Sequence, residues 1–134
     1  MNNNKILLIE DDKDTVRAMA VRFKAKGYQL VVANDAISAI SIARKEKPDL
    51  IVLDLGLPAG DGFMVLQRLK ANYDLMLVPV IVVSARDPLV NQQQALEAGA
   101  ELFFQKPIDN DAFFGAVQKA LFRSGGVGQE APRR

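Results

Sequence analysis

Asp54 ends the apolar run Leu50-Ile51-Val52-Leu53, and the run Ile6-Leu7-Leu8-Ile9 stops as abruptly at Glu10-Asp11-Asp12. Ser84 closes Val80-Ile81-Val82-Val83, and Lys106 follows Leu102-Phe103-Phe104-Gln105 just ahead of Pro107. Singly, each has an ordinary explanation: strands return to solvent, a serine turns the chain, a lysine is a surface cation. Together, acids, a hydroxyl and an ammonium at strand ends make a set that handles phosphate. Asp54 would supply a carboxylate nucleophile, Glu10 and Asp11 would hold a hard cation, Ser84 would offer a hydroxyl hydrogen bond, and Lys106 a positive charge to phosphoryl oxygen. Carboxylates ~4–5 Å apart repel by about 3–4 kcal/mol per pair at an effective dielectric of ~20, so such a site takes up a proton or recruits a cation. Mg²⁺ suits a short list of oxygen ligands better than Ca²⁺ does, and Mn²⁺ is its natural substitute.

The elements that must position these residues alternate from end to end. After the strand Ile6 to Ile9, the residues Val16, Met19, Ala20 and Phe23 recur at i, i+3, i+4 and i+7, one face of a helix that Gly27 can terminate. A second strand spans Leu30 to Ala33. Asn34 or Asp35 can cap the next helix, whose apolar face is Ala36, Ala39, Ile40 and Ala43, with Pro48 beyond its charged end. Leu50 to Asp54 is the third strand, and the loop Leu55-Gly56-Leu57-Pro58-Ala59-Gly60-Asp61-Gly62 lets backbone approach a ligand. Phe63, Leu66 and Leu69 mark a third helix, Val80 to Val83 a fourth strand, Val90 to Ala98 a fourth helix closed by Gly99, and Leu102 to Phe104 and Phe113 to Phe122 complete the pattern. Five strands apolar on both faces, alternating with five helices, predict an α/β fold with a parallel sheet sandwiched between helices. One domain over residues 1–123 and a flexible tail or linker over 124–134 follow from where periodicity stops.

Composition closes off other chemistries. With no Cys and no His, the chain has no thiol nucleophile, thiolate metal site or imidazole base, so any phosphohistidine involved belongs to another molecule. A net charge of +1 gives no general drive toward nucleic acid or an anionic membrane. Only four apolar residues separate Lys5 from Glu10, too few for a signal peptide or a membrane span, so a cytoplasmic protein is expected.

The four ordered motifs, Ile6 to Asp12, Asp54 to Gly62, Val83-Ser84-Ala85 and Gly99-Ala100 through Lys106-Pro107, resemble those of the receiver domain of two-component response regulators, the CheY-like superfamily. The resemblance runs from Lys5 to about Arg123 and implies the flavodoxin-like, doubly wound sheet with strand order 2-1-3-4-5. It implies that Asp54 accepts a phosphoryl group from a phosphohistidine on a sensor histidine kinase or a histidine phosphotransfer protein. Asp11 resembles the direct metal ligand, Glu10 a ligand acting through water, and Gly56 the residue whose backbone carbonyl completes the protein ligands. Ser84 resembles the switch hydroxyl, Phe103 the aromatic that follows it inward, and Lys106 the partner of the phosphoryl oxygens. Lys106-Pro107 resembles a bond that is cis in the family. The implied output is a shift in the surface of the fourth helix, fifth strand and fifth helix, read by a downstream protein or an effector domain. Bacterial origin and a monomer or weak phosphorylation-dependent dimer are the corresponding expectations.

Asp12, the third acid, is read as the cap of the following helix, with a metal role as the alternative. Ala85 is small beside Ser84, while Gly56 and Arg86 stand where family side chains tune acyl-phosphate hydrolysis. Phe103 is either a switch or a core aromatic; Phe104, on the other sheet face, is core. Winged-helix members of the family dimerise through charged pairs, whereas this chain offers Gln92-Gln93-Gln94, Glu101-Leu102 and Phe113-Phe114 in that region. Gln92 to Gln94 are expected as solvated surface. One of Phe113 and Phe114 should be core, and the other, if exposed, an apolar partner surface. Two other classes compete: a receiver-like binding module independent of phosphorylation, and an aspartate-nucleophile phosphohydrolase. The latter places a general acid two residues after its nucleophile, where this chain has Gly56.

Overall fold

The computed structural model describes residues 4–57, 62–85 and 87–130, with residues 124–130 described as backbone. Pro58 to Asp61 of the Gly-rich loop, Arg86 and the last four residues lie outside the described residues. Ten elements alternate: β1 (Lys5–Ile9), α1 (Lys13–Ala25), β2 (Gln29–Ala33), α2 (Ala36–Glu46), β3 (Leu50–Asp54), α3 (Gly62–Ala71), β4 (Val80–Ser84), α4 (Pro88–Glu97), β5 (Leu102–Gln105) and α5 (Asn110–Glu130). The strands form one parallel sheet in the order β2-β1-β3-β4-β5.

The period of two along each strand divides the core into two layers. Leu7, Ile9, Ile51, Leu53, Val80 and Val82 face α2, α3 and α4, with Phe103 packed against that cluster. Ile6, Leu8, Leu50, Val52, Ile81 and Val83 face α1 and α5, with Phe104 on that side. β3 and β4 are buried along their whole length, which is why their sequences read as unbroken apolar runs.

Local signals fix the helix ends. Asp35 caps α2 by accepting from Ser38 N at 2.8 Å. The chain leaves α1 through Gly27 at φ 88°, a left-handed turn that glycine takes without penalty. Lys47 makes the same turn after α2 at φ 50°. α4 begins at Pro88, slightly earlier than expected, because proline fits the first helical position where its missing N–H would have no partner.

One boundary differs from expectation, and one open alternative is decided. The helix expected over Phe113 to Phe122 runs Asn110–Glu130, longer at both ends than expected. Extending an existing helix costs far less than nucleating one, so a stretch without apolar periodicity can still follow on. Phe113 and Phe114 are both core, so neither offers an exposed apolar surface. Neighbours on a helix lie only about 100° apart, so a broad apolar stripe takes both. Their rings meet edge-on at 5.1 Å and pack against Phe23, at 6.2 Å from Phe113 and 4.8 Å from Phe114. Tyr28 and Phe104 extend this cluster, which unites α1, β5 and α5. Gln92 to Gln94 are exposed, as expected. No helix among the described residues is long and apolar enough to cross a membrane.

Candidate functional site

The parallel sheet sends all five strands out on one edge, so the residues that end them meet there. Register brings Ile9 beside Leu53 and Asp54 beside Val83, which places the acids after β1 next to the acid ending β3. One oxygen from each of Glu10, Asp11 and Asp54 lies within 4.8 Å of the others. Glu10 and Asp54 are buried, at 1% and 7% exposure, and Asp11 is exposed at the rim.

The cation that offsets these acids is already in the chain. Lys106 donates from Nζ to Glu10 Oε1 at 2.9 Å and stands 3.7 Å from Asp54 Oδ2. Lys106 N donates to Ser84 O at 2.8 Å, which ties the turn after β5 to the end of β4. The Lys106-Pro107 bond is cis, as the sequence led us to expect. Burial lifts the Glu10 carboxyl above its ordinary value, against the opposing hydrogen bond from Lys106, and the Asp54 charge adds to the lift. Burial works to lower the Lys106 ammonium, but the Glu10 hydrogen bond and the charges of Asp54, Glu10 and Asp12 outweigh it and the net shift is upward.

Asp12 is the helix cap. Its side chain accepts from Thr15 N at 2.9 Å and Thr15 Oγ1 at 2.6 Å, and these bonds hold its carboxyl below the ordinary range. It stands outside the oxygen cluster formed by Glu10, Asp11 and Asp54. Its own N–H donates to Glu10 Oε2 at 3.2 Å, so the cap also orients the buried acid.

Asp54 is oriented by its own turn: Gly56 N donates to Asp54 Oδ1 at 3.0 Å. A Cβ at Gly56 would stand 3.5 Å from that oxygen, at ordinary contact distance, so any side chain here would stand directly over the carboxylate. Gly62 closes the same loop from below, its N–H donating to Leu55 O at 3.3 Å.

Ser84 is fully buried at the end of β4. It alternates with Val82, which pairs with Phe103, so Ser84 and Phe103 share the sheet face that carries α4. Phe103 is half-buried there, and Phe104 lies on the opposite face, its ring 5.5 Å from that of Phe113.

The structure brings Glu10, Asp11, Asp54 and Lys106 together, with Ser84 at the next strand end and Phe103 behind it. Sequence reasoning missed the direct Lys106 to Glu10 bond. The two residues lie 96 positions apart, and no local pattern signals a contact at that distance. The donor set is all oxygen and strongly anionic, which fits a hard divalent cation.

Comparison with known proteins agrees with this geometry. Residues 6–118 match the family model for the response regulator receiver domain. The chain is 35% identical to the transcriptional regulatory protein KdpE of Mycobacterium tuberculosis over 89% of its own length and 51% of that protein. It is 36% identical to the sporulation initiation phosphotransferase F of Bacillus subtilis, over 90% of this chain and 96% of that one. The chain therefore spans about half of the first relative and nearly all of the second. The receiver domain of the Francisella response regulator 1452 superposes with a TM-score of 0.84 at 29% identity, covering 91% of this chain and 99% of that one. The strand order and helix layers are those of the CheY-like, flavodoxin-like fold. With its acid cluster at the strand ends and a family match over most of its length, the chain belongs to the response regulator receiver domains of two-component signalling.

Proposed function

We propose that Asp54 is a reversible phosphoryl acceptor. One carboxylate oxygen of Asp54 attacks the phosphorus of a phosphohistidine carried by a kinase or phosphotransfer protein. The P–N bond breaks, and the imidazole leaves with the electron pair and takes a proton. Transfer adds negative charge, which Lys106 is close enough to offset. The observation that carries this reading is the convergence of three carboxylates within 4.8 Å of one another beside the Lys106 ammonium.

Asp11, Asp54 and the Gly56 carbonyl are the ligands proposed for Mg²⁺ or Mn²⁺, with Glu10 acting through water. Bound there, the cation would offset charge on the phosphoryl oxygens during transfer. No acid stands at Gly56 to drive turnover, so the domain acts as a signalling switch that assists only its own phosphotransfer and dephosphorylation. The buried Ser84 hydroxyl turns toward the phosphoryl group when Asp54 carries one, and Phe103 follows it inward. Moving a population from 1:99 to 99:1 takes about 5.5 kcal/mol, within reach of two charge-assisted hydrogen bonds plus aromatic burial. The surface of α4, β5 and α5 then changes and is read by a downstream protein or an attached effector domain. We place this activity in the cytoplasm, without direct nucleic-acid or membrane contact by this domain, as a monomer or a weak phosphorylation-dependent dimer.

Incubation with Mg²⁺ and a small phosphodonor tests the reading by intact mass. One phosphate of added mass is expected in the wild type and none in Asp54→Ala. A folded wild type that gains no mass overturns it.

A further inference from the structure

A cavity of about 260 Å³ separates α1 from the turn after β5. Thr15, Ala18, Met19 and Arg22 recur at i, i+3, i+4 and i+7, so one stripe of α1 forms its first wall. Pro107 and Ile108 form the opposite wall, and Val83, near the end of β4, the floor. Elsewhere between α1 and α5 the rings of Phe23, Phe113 and Phe114 fill the space by edge-on packing, whereas Ala18 offers only a methyl group. Met19, buried in the wall, is unbranched and can adjust to an occupant.

The two ends of the cavity differ in electrostatics. Thr15 and Lys106 lie at the end beside the acid cluster, Thr15 bonded to Asp12 at 2.6 Å and Lys106 to Glu10 at 2.9 Å. Arg22 lies two turns further along α1, roughly 10 Å away. It is exposed and makes no ion pair among the described residues, unlike Arg17, which pairs with Asp14 at 3.6 Å. No acid lines the cavity among the described residues. An anion is therefore drawn to the Arg22 end and repelled from the other end by the carboxylates that Lys106 and Thr15 already serve.

We propose that this cavity binds a small monocarboxylate with an apolar body, of the class of aromatic acids carrying a short chain. The carboxylate pairs with the Arg22 guanidinium, and the ring lies over Ala18 and Met19 against Pro107 and Ile108. At about 30 Å³ per water the cavity has room for about nine. That is enough for one ring and a short chain, whereas a nucleotide is too large and would carry negative charge toward the acid cluster. Lys106 belongs to the lining, so an occupant also lies against the side chain that holds Glu10. Binding here needs no phosphoryl group on Asp54.

Titration of the full chain with 3-phenylpropionate and with its neutral amide, followed through the Met19 methyl resonance, tests the site. The acid should move Met19 saturably with a Kd of about 1–5 mM or tighter, and the amide should bind at least roughly fivefold more weakly. Arg22→Gln, at an exposed position, should bring acid and amide to within about twofold of each other. Ala18→Phe, also at an exposed position, should fill the cavity and abolish both responses while the Phe113 ring resonances stay as in the wild type. No saturable movement of Met19 in the millimolar range overturns the site, as does equal binding of acid and amide by the wild type. A preference for the acid that survives Arg22→Gln, or a Met19 response that survives Ala18→Phe, overturns it as well. The titration uses no phosphodonor, so its result is independent of the mass test on Asp54.

Discussion

Lys106 donates to Glu10 at 2.9 Å across 96 residues of sequence, joining the turn after β5 to the turn after β1. The bond makes the lysine an internal counter-ion for the acid cluster. A divalent cation entering the cluster and the phosphoryl oxygens on Asp54 would both draw on charge that Lys106 already shares.

Lys106→Met is expected to destabilise the protein by about 1–3 kcal/mol without divalent cation, since it leaves a buried carboxylate unpaired. Added Mg²⁺ should recover more stability in this variant than in the wild type, because no ammonium competes for the same oxygens. Urea unfolding with and without Mg²⁺ measures both effects. An equal Mg²⁺ gain in the two proteins would show that the lysine does not oppose the metal.

The loop after Asp54 depends on a glycine for space. A Cβ at Gly62 would stand 2.4 Å from Leu55 Cα and 2.7 Å from Leu55 O, against backbone that has little room to give. Gly62→Ala should cost about 1–3 kcal/mol from overpacking. It should also slow phosphate uptake, because Leu55 directly follows Asp54, the proposed acceptor. A stable variant with normal uptake would show that the loop yields easily.

How far the sequence carried depended on whether a contact was local or distant. Period-two alternation along β5 placed Phe103 and Phe104 on opposite faces, and strand ends located Asp54, Ser84 and Lys106. The cap at Asp12 was legible because its partner Thr15 is three residues on. The Lys106 to Glu10 bond and the shared burial of Phe113 and Phe114 were not legible. Each depends on how separate elements stack, and their spacing along the chain carries no trace of it. The end of α5 was misplaced for a different reason: continuing a helix demands less of the sequence than starting one.

Asp35 offers a pH test remote from the acid cluster. Its bonds from the Ser38 N–H and hydroxyl hold its carboxyl below 3.8, the ordinary value. The charged form is therefore favoured by folding. This stabilisation is complete above pH 3.8 and fades as pH falls through the lower folded-state value. Asp35→Asn keeps an amide oxygen as cap and removes the titration. The stability difference between wild type and variant should be flat near neutral pH and shrink in acid; a constant difference down to pH ~2 would sever the cap from the acid response.

The two neighbouring phenylalanines of β5 should respond unequally to activation. Phe103 shares the α4 face with Ser84 and is half-buried, whereas the ring of Phe104 meets the fully buried Phe113 on the other face. Beryllofluoride with Mg²⁺ should therefore shift the Phe103 ring resonances and leave those of Phe104 nearly unchanged. Ser84→Ala removes the hydroxyl proposed to link a modified Asp54 to this face, so the Phe103 shift should fall by more than half while the beryllofluoride adduct still forms. Phe113→Ala should cost about 3–5 kcal/mol as a large-to-small core change, yet preserve the Phe103 shift in molecules that remain folded. An undiminished Phe103 response in Ser84→Ala would break the proposed coupling, because no other strand-end hydroxyl stands between Asp54 and α4 among the described residues.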